Sequence, residues 1–498
     1  MSRLNDPFRT RRPIGELLLY LLIAVGLFVC VVYLLGGPSL ADSSESVYSA
    51  LLISHGNWAC AYPPLAFSQV NGTPLVLTSP VYVLVSGTLA SLLGFGATTA
   101  FPSIAIMGAD CSHAFTLTSS WAQSTGVLTS MMRLGFVSWV VLVVGLISTM
   151  RASGKGHDGV EIVAVLTVLC SPPVFSSLVF TFHPEDVLAM GLVLLAVANV
   201  FGRKWFLVGA LMALGVTTQL FALLALIPLA AVIPRGRRGA FTLGFTSVLT
   251  AVVAPLTFLT SGRVLHSVFL GTSKAGERTI SAGGTILYSA NLHGIPLFLI
   301  SRISPLVAAS VLSFLVVRRW GAAAREPVLL VALVGSCLAM RLVFEVNAFE
   351  YYYLATVVSL ILLDSLRGRF RGMTFTLIGL ITVAFGPAVI YLHWGGQLLG
   401  PSLRPLLPYV FLIVSTIFLV AGLVRRQVTW YLVASIVLVS LAFLRIPLQT
   451  DYYKGAFPLW FWQVALVTPL VYSLSAPLRG SASTSVAIMS TESGVSTS

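Results

Sequence analysis

Acidic residues, a histidine and several tyrosines gather in three short stretches whose side chains could carry out chemistry. Asp42, Glu45 and Tyr48 lie in the first, FHPEDV at 182–187 is the second, and RLVFEVNAFEYYY at 341–353 is the third. The chain has only 16 Asp and Glu among its 498 residues, and a carboxylate beside an apolar run is costly to keep there. A carboxylate can take a proton from a hydroxyl group or bind a divalent cation. We therefore expect these stretches to hold the functional residues.

The second stretch has a structural and a functional interpretation. His183, Glu185 and Asp186 meet the start of an apolar run, and acids in the first turn of a helix complement the helix dipole without any ligand. The same side chains could instead position a substrate or hold Mg²⁺ or Mn²⁺. No separated set of ligands has a spacing that is diagnostic of a metal site. We therefore expect no metal and no other cofactor, with a divalent cation at these three residues as the alternative.

The third stretch combines Arg341 and Glu345 with a run of tyrosines that begins at Tyr351. An aromatic belt with an arginine that reaches the membrane interface has this composition. The functional alternative is that these three residues bind substrate. Lys274 and Arg278, in the glycine-rich stretch GTSKAGERTISAGG, are further candidates for contacting a phosphate group. A loop of this kind is equally well a mobile lid or a plain connection.

The elements that position these residues must lie in a lipid bilayer. Hydrophobic residues make up 57% of the chain, charged residues make up 9%, and the mean hydropathy is +0.95, which excludes an ordinary water-soluble domain. A spanning helix needs about 20 mostly apolar residues. The apolar runs that predict spans are 17–35, 131–150, 160–178, 187–201, 205–217, 219–234, 241–259, 298–317, 327–344, 351–365, 373–392, 405–424, 428–446 and 457–476. We expect an all-α polytopic membrane protein of about 12–14 transmembrane helices, with one domain at 1–479 and a disordered cytoplasmic tail at 480–498.

The basic residues indicate how the chain crosses the membrane. The net charge of +13 comes from small Lys and Arg clusters between apolar runs, which argues against nucleic acid as a partner. With the N-terminus inside, most of the 29 Lys and Arg fall on the cytoplasmic side, as the positive-inside rule requires. Both termini are then cytoplasmic, and the protein lies in the cell membrane. An apolar run at 75–96 would reverse this bias if it spanned, so we expect it to lie along the outer membrane surface.

Residues 37–130 consequently form one long extracytoplasmic segment, and loops of this length are usually functional. Cys60 and Cys111 both lie in this segment. The other three cysteines lie within predicted spans. Because disulfides form and persist outside the cytoplasm, we predict a disulfide between Cys60 and Cys111.

Three parts of the sequence together resemble the GT-C glycosyltransferases. In the first, an acid and a tyrosine at 45–48 follow the first helix and precede the Tyr-Pro-Pro sequence at 62–64. In the second, residues 183–229 are similar to the mannosyltransferase-like branch of actinobacterial proteins with family 87 character. In the third, FEVNAFEYYYLA at 344–355 resembles a late outer turn of the same proteins. The order, the spacing and the common side of these motifs carry the resemblance.

The resemblance implies a GT-C-like helix bundle whose long first extracytoplasmic segment carries amphipathic helices. It also implies an inverting transferase that moves a sugar, mannose in this branch, from a polyprenyl-phosphate-linked donor. The acceptor would be a lipid or a cell-envelope glycan at the extracytoplasmic face, and membrane lipids would surround the protein. Such a reaction needs a carboxylate that deprotonates the acceptor hydroxyl and groups that stabilise the leaving phosphate.

The same resemblance assigns roles to particular residues. The catalytic base should be the acid just after the first helix, which is Asp42 or Glu45. The family's acid precedes the tyrosine by three or four residues, whereas Asp42 precedes Tyr48 by six. The acids and the histidine of the second stretch would position the sugar or the acceptor. Gln219 stands where the family often has a lysine, so a phosphate contact is missing there; Tyr48 and Gln219 are both kept among the substrate-binding candidates.

Two other classes of function remain open. A secondary transporter or lipid flippase is supported by the number of spans and by the short, glycine-containing pair of spans at 205–234. Against a transporter, the sequence shows no two-fold repeat and no carboxylate in the middle of a predicted span. A catalytically inactive GT-C-like scaffold is the third class, because the first-loop acid is displaced from its usual position.

Overall fold

The computed structural model describes residues 43–62, 80–94, 111–124, 126–154, 158–169, 171–179, 182–265, 294–344 and 350–367, together with 467, 470, 471, 473 and 474. Within these residues every regular element is a helix. The α-helices are α1 Ser43–Ser54, α2 Pro80–Leu92, α3 Cys111–Ser124, α4 Val127–Arg133, α5 Phe136–Ala152, α6 Asp158–Leu169, α7 Pro172–Val179, α8 Pro184–Phe201, α9 Trp205–Thr218, α10 Leu223–Val232, α11 Arg238–Leu259, α12 Gly294–Trp320, α13 Pro327–Phe344 and α14 Leu354–Leu366. Short 3₁₀ helices lie at Trp58–Cys60, Leu220–Ala222, Arg235–Arg237, Gly321–Arg325 and Glu350–Tyr353.

Several of these helices are suited to a bilayer by length and composition. Five stretches in the described residues are long and apolar enough to cross a membrane, namely Val127–Ala152, Pro184–Phe201, Arg235–Leu259, Leu299–Arg325 and Pro327–Phe344. Shorter apolar helices lie at Pro80–Leu92, Trp205–Thr218, Leu220–Val232 and Tyr351–Leu366. The predicted all-α polytopic membrane class is therefore confirmed. The predicted spans 17–35, 373–392, 405–424 and 428–446, and most of 457–476, lie outside the described residues.

One predicted span is interrupted in the structure. Instead of a continuous helix at 160–178, α6 ends at Leu169 and α7 begins at Pro172. Pro172 and Pro173 have no backbone N–H group, so they fit the first turn of a new helix but not the middle of a continuing one. The chain therefore crosses this part of the bundle as two helices.

The ends of the helix bundle differ in charge. Contacts of Asp186 with Arg341 and Gln219, and of His183 with Tyr351, gather the start of α8, the end of α9, the end of α13 and the start of α14 at one end, here called the site end. Basic residues lie at the opposite helix termini, here called the basic end, and these residues are Arg151, Arg203, Lys204, Arg235, Arg237, Arg238, Arg318, Arg319 and Arg325. The basic clusters thus lie at the helix termini opposite the site end.

Close glycine contacts bring α5 and α8 together behind the site end. A methyl group added at Gly145 would lie 2.6 Å from the carbonyl oxygen of Gly191, and one added at Gly191 would lie 2.7 Å from the backbone nitrogen of Leu142. The two backbones can approach this closely only because neither residue has a side chain. Thr149 adds a hydrogen bond across the same interface by donating to the Leu194 carbonyl oxygen at 2.8 Å. These contacts fix α8, the helix that carries the second acidic stretch.

Helices α1 to α4 form a cap that packs on the site end. Their buried side chains, among them Tyr48 and Leu51, share one hydrophobic cluster with Phe182, which directly precedes His183, and with Leu256 of α11. The buried residues of α1 and the segment that introduces α8 therefore belong to one hydrophobic cluster. This cluster connects the long first segment to the second acidic stretch.

Helix α2 occupies the centre of the apolar run that we expected along the outer surface. Its 13 residues span about 20 Å at 1.5 Å per residue, which is less than the roughly 30 Å hydrocarbon core, so α2 is too short to cross a bilayer alone. Val81 and Tyr82 pack against Leu188 and Leu192 of α8. The helix thus lies against the side of the bundle as well as near its end.

Candidate active site

The candidate site is built around the first turn of α8. Pro184 occupies the first helical position, where its missing N–H group costs nothing, and His183 is the preceding N-cap residue. The His183 side chain makes no capping hydrogen bond; its backbone carbonyl oxygen instead accepts from the Asp186 backbone N–H at 3.1 Å. Phe182 has a φ of 52°, an uncommon conformation for a residue with a side chain, and its ring is buried. The turn therefore directs Glu185 and Asp186 inward.

Asp186 is the centre of a buried polar network. Its relative exposure is 1%, and each carboxylate oxygen accepts a hydrogen bond from a different helix end. Arg341 Nη1 donates to Oδ1 at 3.2 Å, and Gln219 Nε2 donates to Oδ2 at 3.3 Å. Gln219 also accepts a hydrogen bond from the Leu220 backbone N–H through its side-chain oxygen at 3.2 Å. A buried carboxylate is stable only with such compensation, so α8, α9 and α13 are coupled through one side chain.

Aromatic rings enclose the guanidinium group of Arg341. Its central carbon lies 3.4 Å from the centre of the Tyr352 ring and 5.3 Å from the centre of the Phe221 ring. Stacking of this kind is attractive because the faces of aromatic rings carry negative partial charge. The side chain is 10% exposed, so Arg341 does not extend to the membrane interface as a belt residue would. Its position instead favours a role in holding Asp186.

The second carboxylate of the site is arranged differently. Glu185 Oε1 lies 3.0 Å from His183 Nδ1, and the His183 ring stacks on the Tyr351 ring with their centres 3.7 Å apart. The other oxygen, Oε2, is buried and has no hydrogen-bond partner among the residues that the structure describes.

Tyr82 of α2 lies near Glu185. Burial, and next the negative charge of Glu185, raise the pKa of the Tyr82 phenol well above its ordinary value. Tyr82 is therefore a neutral group on the α2 side of the site.

The structure brings together most of the described residues that the sequence predicted. His183, Glu185, Asp186, Gln219, Arg341 and Tyr351 form one cluster. The second and third stretches therefore meet at one site, in which the first-turn acids contact other side chains and do more than complement a helix dipole.

The first stretch is described only in part. Tyr48 is buried in α1, and Gln123 Nε2 donates to its hydroxyl oxygen at 3.3 Å, so this tyrosine belongs to the cap. Glu45 lies in the first turn of α1. Asp42, Lys274, Arg278 and Glu345 lie outside the described residues. The proposed roles of these residues thus remain predictions.

Three members of the site were missed by the sequence interpretation, namely Tyr82, Phe221 and Tyr352. Tyr352 lies in the tyrosine run that the sequence singled out, and Phe221 follows Gln219 by two residues, so position along the chain was the available signal for both. Tyr82 comes from α2 and had no such signal. Its approach to Glu185 depends on how α2 packs against α8.

The predicted disulfide is formed in the structure. The sulfur atoms of Cys60 and Cys111 are 2.17 Å apart, and the bond joins the 3₁₀ helix after α1 to the start of α3. Arg263, just beyond α11, donates through Nη1 to the Ala59 carbonyl oxygen and to Cys111 Sγ, both at 2.8 Å. Cys337 is a free, buried thiol in α13. The disulfide therefore closes the cap on itself, and Arg263 ties the cap to the bundle.

Comparison with known proteins supports the resemblance that the sequence showed. Residues 112–345 match the profile of glycosyltransferase family 87, so the predicted family resemblance is confirmed over that range. His183, Glu185, Asp186 and Arg341 all lie within it. No curated protein matches the chain.

A solved structure is similar over most of the chain. It is described as the crystal structure of ArnT from Cupriavidus metallidurans bound to undecaprenyl phosphate. The TM-score is 0.46 at 12% sequence identity, and the match covers 93% of this chain and 77% of ArnT.

Proposed function

We propose that the chain is an integral membrane glycosyltransferase that moves a sugar from a polyprenyl-phosphate-linked donor to a lipid or cell-envelope glycan. The observation that carries this proposal is the buried cluster of His183, Glu185, Asp186 and Arg341, which lies within the region that matches glycosyltransferase family 87. The cluster sits at a bundle end, where a polar headgroup at the membrane surface can reach it. A transporter site is expected instead near the middle of the bilayer.

The charge distribution supports an extracytoplasmic site. The basic end carries the Lys and Arg clusters that the positive-inside rule assigns to the cytoplasm. The site end, with the disulfide between Cys60 and Cys111, then faces the opposite compartment, where disulfides persist. Both termini are cytoplasmic in this arrangement, and the protein lies in the cell membrane.

The proposed reaction divides the work among three groups of residues. Asp42 or Glu45 takes the proton from the acceptor hydroxyl, whose oxygen then attacks the sugar carbon with inversion while the bond to the lipid phosphate breaks. His183 and Glu185 position the sugar or the acceptor, because they form one fixed pair beside the network of Asp186. Lys274 and Arg278 contact the leaving phosphate. Mannose is the proposed sugar, on the strength of the family resemblance.

Replacing the base tests this proposal. Asp42→Asn or Glu45→Gln should lower transfer of radiolabelled mannose from polyprenyl-phosphate mannose by about 10²- to 10⁴-fold, since a general base contributes that much. Binding of the donor should stay nearly unchanged, because the base acts in the transition state. The measurement uses purified protein in detergent, with membranes from a strain that lacks the chain as acceptor. Glu326→Gln, an exposed carboxylate at the basic end, is the matched control.

Two outcomes would count against the assignment. If both single variants and the double variant keep activity within a few-fold, the first-loop acids are not the base, and the cluster at the start of α8 must carry the chemistry. If the wild-type protein binds the donor yet transfers nothing to any membrane acceptor, the inactive scaffold is the better interpretation.

A further inference from the structure

The buried cluster at the start of α8 has the composition and spacing of a metal site. His183, Glu185 and Asp186 each offer one donor atom, and these three atoms all lie within 4.8 Å of one another. A nitrogen and two carboxylate oxygens form a mixed set that suits Mn²⁺ or Zn²⁺ better than Ca²⁺. The three residues are close in sequence, and the turn at His183 brings their donor atoms near one another.

The distances between the donor atoms agree with coordination of a single ion. In an octahedral site with metal–ligand bonds of about 2.1 Å, neighbouring donor atoms lie about 3.0 Å apart and opposite ones about 4.2 Å apart. His183 Nδ1 and Glu185 Oε1 are 3.0 Å apart, the separation of neighbouring ligands. The whole set stays within 4.8 Å, close to the separation of opposite ligands.

An unpartnered oxygen points independently to a ligand. Glu185 Oε2 is buried and accepts no hydrogen bond from the residues that the structure describes. Leaving such an atom unpaired costs about 1–3 kcal/mol, and more when the group is charged. A bound cation would remove this cost directly.

The remaining contacts resemble the support that metal ligands receive. Asp186 accepts hydrogen bonds from Arg341 and Gln219, and each of its oxygens keeps a second lone pair for an ion. Carboxylates that bind metals are ordinarily held by such hydrogen bonds. With a neutral His183, the two carboxylates and Arg341 sum to one negative charge in a buried place, which is costly without a counter-ion.

The alternative is two internal ion pairs. A protonated His183 could neutralise Glu185 while Arg341 neutralises Asp186, and the cluster would then need no metal. That arrangement balances the charges, but it leaves Glu185 Oε2 without a donor among the described residues. The unpartnered oxygen therefore favours the cation.

We propose that His183, Glu185 and Asp186 form a binding site for one divalent transition-metal ion. The ion would turn the net charge of the cluster positive and so attract an anionic group. That anion would be the donor phosphate, a second step that rests on the proposed function, whereas metal binding itself does not.

Metal titration without any sugar donor tests the site. Purified protein in detergent is stripped with a chelator and titrated with Mn²⁺, whose free signal is followed by electron paramagnetic resonance; Zn²⁺ content after dialysis is measured in parallel. We expect about one ion per chain at a chelator-sensitive site, as in other three-ligand sites. Glu185→Gln and His183→Gln should weaken binding by about tenfold or more, since even residues that only support ligands cost that much. Glu326→Gln should bind as the wild type does.

The outcomes separate this proposal from the proposed function. If neither Mn²⁺ nor Zn²⁺ binds to the wild type at about one per chain, or if both ligand variants bind as tightly as the wild type, the site is refuted. A variant is compared only when it elutes as a monodisperse peak, and the two independent ligand variants guard against misfolding of either. Because no donor is present, failure of sugar transfer would leave this result unchanged.

Discussion

Removing Arg341 should strongly destabilise the protein, and removing Arg341 and Asp186 together should cost clearly less than the sum of their separate effects. Among the described residues, Arg341→Met leaves Asp186 as a buried carboxylate with only the hydrogen bond from Gln219. In the double variant with Asp186→Asn neither charge remains. Comparing the free energies of unfolding of the single and double variants therefore separates the stabilisation by the ion pair from the cost of an uncompensated charge.

The structure gives the size of the effect. With 3.2 Å between Arg341 Nη1 and Asp186 Oδ1, the gross attraction is about 5 kcal/mol at an effective dielectric constant of about 20. Most of this attraction offsets the cost of burying both charges. Removal of one partner of a buried pair costs about 3–5 kcal/mol, and we expect Arg341→Met to lie in that range. Neighbouring residues usually show coupling of about 0.5–3 kcal/mol, so the double variant should cost clearly less than the sum of the single ones.

The free energy of unfolding can be measured by denaturant titration of the purified protein in detergent micelles. Arg318→Met provides the matched control, because Arg318 is exposed at the basic end and its replacement should change stability by about 0.5 kcal/mol or less. A cost of Arg341→Met no larger than that of Arg318→Met would refute a stabilising ion pair between Arg341 and Asp186. Effects of Arg341→Met and Asp186→Asn that simply add in the double variant would refute it as well.

Two further predictions concern packing and orientation. Gly145→Ala should destabilise the protein by about 1–3 kcal/mol in the same unfolding titration, because the new methyl group meets the Gly191 carbonyl oxygen. Gly239→Ala is the control: a methyl group there has no atom within 4 Å and should be neutral or slightly stabilising. Equal effects of the two variants would contradict the close contact between α5 and α8. In intact cells an impermeant thiol reagent should label Ser120→Cys at the site end but not Gly236→Cys at the basic end. If only Gly236→Cys is labelled, the protein has the opposite orientation in the membrane.

The site could be predicted in outline from the sequence for a simple reason. Successive spans alternate sides, and six predicted crossings separate the stretch at 182–187 from the stretch at 341–353, so both must emerge at the same end. The structure places both there, and it joins them through Asp186 and Arg341. The family profile covers both residues, which is consistent with a shared role.

The contacts within the site could not be predicted, because they depend on how the helices pack. Gln219 was interpreted as a lost phosphate contact, yet it donates to Asp186. The short apolar helix α2 has no polar face to indicate its neighbours, so the approach of Tyr82 to Glu185 was not visible in the sequence. The break before Pro172 had a local signal in the Pro-Pro sequence, but hydrophobicity alone gave one continuous span.

Transfer of a sugar at the membrane surface by this protein is tested most directly in living cells. Lipids and cell-wall glycans of a deletion strain are profiled by mass spectrometry beside the parent and a complemented strain. The proposed function predicts that one mannose-containing species disappears, that its unextended precursor accumulates, and that complementation restores both. Unchanged lipid and glycan profiles in the deletion strain would contradict it.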